Sequence, residues 1–473
     1  MSSKNKACVV GAGPNGLAAA IVLAQAGLHV DVLEAESTPG GAARTWELTL
    51  PGFQHDFGSA VYPFAAGSPF FFSLPLSEHG LDWIHSSAVL AHPLDDGTAV
   101  MLERDLRDTP SSLGIDGPAW DKLMRPFAEH WMEFASEVLR PVPFIPKHPW
   151  LMARFGALAL QSAQTVAHRF RQPRTRALFA GMAAHSFLSL DEPLSAAFAI
   201  LLAASAHAVG WPIPRGGAQS LTNALCSTLS SLNGKITTSS PVQDLATLTN
   251  YDLFLCDVTP RQLIKIGGPK LSASYQRRLG KFRYGSGAFK VDYALNTPVP
   301  WKASDCSRAA TVHLGGTLEE IAAAEKTVRQ GGHPDRPFVL LAQPSLFDSS
   351  RAPAGKHTAW AYCHVPNGSK INMLSRLEDQ IERFAPGFRD CVLARHVFSP
   401  SDLESMDANL IGGDIVGGVM DSRQFLFRPT WQHYATSARN IYICSASTPP
   451  GGGVHGMCGY HAAKTALKRW NKP

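Results

Sequence analysis

The apolar and polar positions change period several times along the chain, and the first change is the most informative. Ala7-Cys8-Val9-Val10 is an unbroken apolar run of strand length, and GAGPNG follows at 11–16. LAAAIVLAQAG then sets small and aliphatic residues at helical spacing up to Gly27. A second run, Val30-Asp31-Val32-Leu33, ends in Glu34, so the segment predicts a strand-helix-strand unit. Further on, Ala-, Leu- and Phe-rich stretches predict helices over 148–170 and 193–208. FKVDYAL (289–295), PFVLLAQ (337–343) and HTAWAYCHV (357–365) predict strands. Near the end, Ile441 to Cys444 reads as a strand leading into Gly451-Gly452-Gly453, which open a helix from about Val454 to Leu467.

The glycines of the first unit carry a chemical reading. Gly11 permits the tight turn, Gly13 removes a side chain that would block a pyrophosphate, and Gly16 lets the helix lie close to the strand. Pro14 and Asn15 then begin a helix whose positive end faces a diphosphate. Glu34, 23 residues after Gly11 and followed by Ala35, is placed to accept hydrogen bonds from ribose hydroxyls, and its charge disfavours a 2′-phosphate. Gly40-Gly41 and Arg44 follow as E-x5-GG-x-x-R, and PGFQHDFG at 51–58 ends on Gly58. Paired glycines let backbone pass close to a second part of a long cofactor, and the arginine can meet a phosphate. An NAD site does not need this extension.

On these residues the chain resembles the phytoene desaturase-like and flavin amine oxidase superfamily, most closely the branch named after the pyridine nucleotide-disulfide oxidoreductase domain. The resemblance runs the length of the chain, through PRGGAQSLTNAL (214–225), Pro241-Val242 and NIYICSASTPPGGGVHGMCGYHAAKTAL (440–467). It implies FAD as cofactor, with Val242 touching the adenine through its backbone and Gly452, Gly453, Val454 and Met457 lying in the last cofactor motif. Many relatives carry Gly where Ser445 stands. The implied fold is α/β: a discontinuous Rossmann-type FAD-binding domain (1–75, 212–285 and 430–473) with an interleaved α+β substrate domain (76–211 and 286–429).

Catalytic candidates are few. Lys290, in GAFKVDYALNTPVPW, resembles the lysine of monoamine and polyamine oxidases that holds a water against flavin N5; alternatively it pairs with Asp292. His455 and His461 lie beside the last cofactor motif, where a histidine can shuttle a proton or simply pack. His185 and His207, in apolar helices, read as hydrogen-bonded core residues. YPFAAGSPFFFSLPL (62–76) lines a tunnel, lies on a membrane surface or forms core.

Composition removes several classes. A net charge of +5 over 473 residues gives no nucleic-acid footprint, and the Arg169, Arg171, Arg174, Arg176 cluster reads as a solvated face rather than a lipid contact. The eight cysteines include no C-x-x-C pair, which argues against disulfide reduction, and the 18 histidines form no metal-binding motif. No second strand-GxGxxG-helix unit offers a site for NAD(P)H, so a quinone or molecular oxygen stands open as electron acceptor. No apolar run reaches membrane-spanning length, which places the chain in the cytoplasm with peripheral membrane contact as an alternative. At 45% apolar and 17% charged, the composition allows a large core and a cavity for a lipophilic substrate. The expected activity is hydride transfer between such a substrate and flavin N5. The rivals are a flavin-dependent double-bond isomerase and an FAD-bound interaction protein without turnover; the oligomeric state is open.

Overall fold

The computed structural model describes residues 5–142 and 144–470; residues 1–4 of the basic start lie outside the described residues. Two sheets organise it. The first has five parallel strands in the order Ile441–Ile443, Leu253–Cys256, Lys6–Val10, His29–Leu33, Lys235–Thr237. Its central strand, Lys6–Val10, is buried from Ala7 onward, which is why it reads as a continuous apolar run rather than an alternating one. The Pro14–Gln25 helix has Pro at its start, is buried from Asn15 to Leu23, and ends at Gly27, whose φ of +86° suits glycine alone.

The second sheet has seven strands, in the order Val392–Phe398, Gly287–Leu295, His357–Val365, Val339–Ala342, Ala309–Leu314, Ala88–Pro93, Ala99–Leu102. Pairing is antiparallel except between Ala309–Leu314 and Ala88–Pro93. Helices gather beside it, chief among them Pro173–Ala184 and the apolar Ser195–Val209, which pack on each other. The fold is therefore mixed α/β, a parallel Rossmann-like sheet joined to a second sheet with a helical layer.

A buried charge cluster clasps the two halves. Asp56, on the short Gln54–Asp56 strand, accepts from Thr45 Oγ1 (2.8 Å), the Ala218 amide (2.8 Å) and Arg351 Nη2 (2.7 Å), with Asp56 and Arg351 both fully buried. Removing either partner would strand a buried charge, at a cost of about 3–5 kcal/mol.

Three expected elements differ. The helix expected over 148–170 is two, Pro149–Ala159 and Ala163–Ala167, because the Ser162 hydroxyl accepts from the Thr165 amide and starts a new helix. The last helix begins at Met457, not Val454: Gly453 (φ +115°) and Gly456 (φ +68°) hold non-helical backbone, so the three glycines form a loop ahead of it. The 62–76 segment folds as the short helices Pro63–Ala66 and Pro69–Phe72; Phe70 and Phe71 join the core while Phe72 is exposed.

Candidate functional site: a cofactor cleft that opens into an apolar cavity

At the carboxyl ends of the parallel strands lies a cleft of about 340 Å³. Gly11, Gly13, Pro14, Asn15, Glu34, Ala35, Gly41, Arg44 and Val242 line it, joined by Gly453 and Val454 from the far end of the chain. This is where ligands bind in open parallel sheets. Val242 stands here outside any strand.

The glycines earn their places by contact. A Cβ on Gly16 would lie 2.1 Å from the Gly11 carbonyl oxygen, and one on Gly13 would lie 2.9 Å from Asp257 Oδ2. Glu34 accepts from the Ala12 amide (2.7 Å) and the Glu36 amide (2.9 Å), so its carboxylate stiffens the loop beside the cleft. Arg44 Nε donates to the Gly41 carbonyl (2.6 Å) and Nη2 to the Met406 carbonyl (2.9 Å). Gly16, Gly40 and Met457 do not line the cleft. Gly16 donates its amide to Asp257 (2.8 Å), Gly40 donates to the Ala12 carbonyl (3.0 Å), and Met457 heads the last helix.

The cleft suits an elongated diphosphate cofactor. The Pro14–Gln25 helix has no side-chain cap, and Asn15 Oδ1 is buried there without a partner among the described residues. Five carboxyl groups, Glu34, Glu36, Asp257, Asp407 and Asp414, line this space together with Arg44. Burial pushes Asp257 up to about 8 and raises Asp407 and Asp414 as well, which reduces the negative charge a diphosphate would meet. Asp257 was not foreseen in the sequence, although it directly follows the Leu253–Cys256 strand, where the end of a parallel strand marks ligand-facing positions.

A second cavity, about 190 Å³, continues from the first. The two share Ser59, Ile415, Gly453 and Val454 as wall. Gly58 and Gly452 line this second cavity, along with Tyr62, Phe64, Phe187, Phe198, Leu202, Trp211, Leu340, Trp360 and Tyr362. None of its lining residues is Asp, Glu, Lys or Arg. Its polar features are Ser59, His185, Thr311 and the Trp and Tyr edges. His185 Nε2 lies 2.9 Å from His313 Nε2, and burial lowers His185 to about 3, so the imidazole stays neutral near pH 7. Thr311 Oγ1 and Trp360 Nε1 have no partner among the described residues.

The histidines and Lys290 sort differently. His207 accepts from Trp120 Nε1 (3.0 Å) in the core, and His461 Nε2 meets the Leu139 carbonyl (3.0 Å). His455 Nδ1 accepts from the Met457 amide (3.0 Å) and so caps the last helix; burial holds it neutral, at about 4. Lys290 lines neither cavity. Its ammonium, 3% exposed as a residue, is turned to Asp292, between the rings of Trp360 (5.5 Å) and Phe398 (5.2 Å). Asp292 Oδ1 in turn lies 3.7 Å from His55 Nδ1.

Known proteins match this architecture. The model of the NAD(P)-binding Rossmann-like domain matches residues 9–69. Pyridine nucleotide-disulfide oxidoreductase domain-containing protein 2 of Mus musculus is 26% identical over 98% of this chain and 93% of its own length. The lycopene-forming phytoene desaturase of Pseudescherichia vulneris is 24% identical, with 98% of each chain covered. Among solved structures, an oxidoreductase from Methanosarcina mazei superposes with a TM-score of 0.66 at 18% identity, covering 98% of this chain and 100% of that one. Putrescine oxidase bound to putrescine gives 0.61 at 16%, covering 99% of each. No helix among the described residues is long and apolar enough to cross a membrane. With a Rossmann-type cleft, the chain is similar along its whole length to a pyridine nucleotide-disulfide oxidoreductase domain-containing protein and a phytoene desaturase, and it shares its fold with putrescine oxidase.

Proposed function

We propose that the protein oxidises or desaturates an uncharged, lipophilic substrate held in the 190 Å³ cavity, the observation that carries this being the wall the cavity shares with the cofactor cleft. FAD, when bound, supplies a two-electron acceptor for hydride. The chain supplies the rest. Gly453 and Val454 sit on both sides of the junction, and the apolar lining excludes water from the reacting bond. Burying an ion here without a partner is costly, and no carboxylate lines the cavity to receive an ammonium. This favours a neutral substrate over an amine, despite the fold shared with putrescine oxidase. Neutral His185, fixed by His313, offers one hydrogen-bonding nitrogen to a carbonyl or hydroxyl rather than a charge. Among the described residues one parallel sheet provides a nucleotide cleft, which supports a quinone or molecular oxygen as the electron acceptor over a bound nicotinamide.

The test is anaerobic titration of the FAD-loaded protein with neutral polyenes, neutral cyclic alkenes and alcohols, and amines, following the flavin absorbance band and product mass. Bleaching by a neutral class with a product two mass units lighter is the expected result. Bleaching by amines alone overturns the substrate reading. A product of unchanged mass with a moved double bond replaces oxidation with isomerisation.

A further inference from the structure

Between Glu137 and Asp191 the sequence contains no Asp or Glu, yet it holds seven cations: Arg140, Lys147, Arg154, Arg169, Arg171, Arg174 and Arg176. Since the whole chain is at +5, all other residues together stand at −2. Only Arg140 of the seven has a carboxylate within ion-pair distance among the described residues, Glu137 at 3.4 Å. Elsewhere surface arginines are paired repeatedly, as in Arg125 with Asp121 and Glu129 or Arg383 with Asp95 and Glu320. Six of the seven cations of this stretch thus have no carboxylate partner among the described residues, a feature they share with other surface cations such as Lys265, Lys270 and Lys281.

The same stretch carries the two most exposed large apolar side chains among the described residues, and a third, Leu160. Ile145 is 92% exposed, Trp150 88% and Leu160 68%. On the Pro149–Ala159 helix the exposed positions are 149, 150, 153, 154 and 157, one continuous face that runs on to Leu160. That face reads Pro, Trp, Ala, Arg, Ala, Leu. Its opposite side, Leu151, Met152 and Phe155, packs on the core. Arg169 Nη2 donates to Gln161 Oε1 (3.2 Å), which places a cation at the Leu160 end, while Lys147 stands at the Trp150 end. A helix with a Trp and aliphatic tips between unpaired cations has the composition of one that lies in a lipid interface. A second copy of this face would meet it charge against like charge.

We propose that the 145–160 segment docks the protein on an anionic bilayer surface, with Ile145, Trp150 and Leu160 entering the headgroup boundary and Lys147, Arg154 and Arg169 meeting lipid phosphates. The 62–76 segment, for which the sequence left tunnel wall, membrane surface and core open, exposes Phe72 as its one large apolar side chain.

The experiment is flotation of the full-length, FAD-loaded protein with vesicles of phosphatidylcholine alone or with phosphatidylglycerol. Co-flotation with the anionic vesicles is expected, with little on phosphatidylcholine and release at high salt, and each neutralisation to Gln among Lys147, Arg154 and Arg169 should weaken binding roughly fivefold. The Ile145→Glu/Trp150→Glu double variant should stay unfloated while keeping wild-type flavin content and circular dichroism, since both side chains are solvent-exposed. Absence of flotation, equal flotation on neutral vesicles, or unchanged flotation of the double variant overturns the proposal. So does a wild-type dimer that the double variant dissolves, because the face would then belong to a second copy.

Discussion

The two chambers that meet at Ser59 and Gly453 are made of opposite materials. The cofactor cleft is formed by backbone loops and carries six ionisable side chains, while the adjoining cavity is formed by side chains and carries no charge apart from what His185 could take up. A diphosphate needs amide donors and tight turns, which short motifs supply locally. A neutral substrate needs a dry, shaped space, which only long-range packing can supply. One boundary, four residues wide, separates the two environments.

The contrast breaks most severely at Gly16. In Gly16→Val the new side chain starts 2.1 Å from a backbone oxygen that cannot move away, so the helix must shift off the strand. Purified protein is expected to lose its FAD and about 2–3 kcal/mol of stability, read by flavin absorbance and urea denaturation. A defect confined to turnover would mean the cleft tolerates far more than its geometry implies.

Filling the other chamber should leave the first intact. Leu202→Trp puts a larger ring into the 190 Å³ cavity, and substrate-driven flavin reduction should slow on the order of 100-fold while flavin content stays at the wild-type level. Equal loss of FAD and activity would show that the chambers are not separable.

The smallest effect concerns pH. Asp257 is raised from 3.8 to about 8 by burial, so the protonated form is favoured in the folded chain. Its contribution to stability is fully present below pH 4 and is lost as the pH rises through about 8. A diphosphate beside it adds to the penalty, so FAD affinity should fall by up to about tenfold per pH unit above 8, measured by fluorescence titration. Asp257→Asn should flatten that profile. An unchanged slope would assign the effect to Asp407 instead.

What could be read in advance follows the same division. Gly11, Gly13, Glu34, Gly41 and Arg44 act within one local unit, and their spacing in the chain is nearly their spacing in space. The apolar cavity gathers Tyr62, His185, Trp211, Leu340, Trp360 and Val416 from separate segments, and strand register decides which of them meet. Leu340 stands opposite Tyr362 only because Val339–Ala342 pairs antiparallel with His357–Val365 in that register. The Lys290–Asp292 pair was legible, since residues two apart on a strand share a face. The aromatic rings that enclose the ammonium were not. The break at Ser162 was signalled by a serine three residues before Thr165, but the apolar periodicity on either side hid it.

The parallel sheet also constrains how the protein is born. Its edge strand Ile441–Ile443 pairs with Leu253–Cys256, and the last helix lies against the first, with Gly459 so close to Asn15 that a Cβ there would meet the Asn15 carbonyl oxygen. During synthesis the strand-helix-strand unit emerges first and must wait more than 400 residues for the loop and helix that finish its cleft. Cofactor loading thereby depends on residues far apart in the chain: a fragment ending before residue 440 would present the diphosphate loop without Gly453 and Val454 as its closing wall, and is expected not to retain FAD.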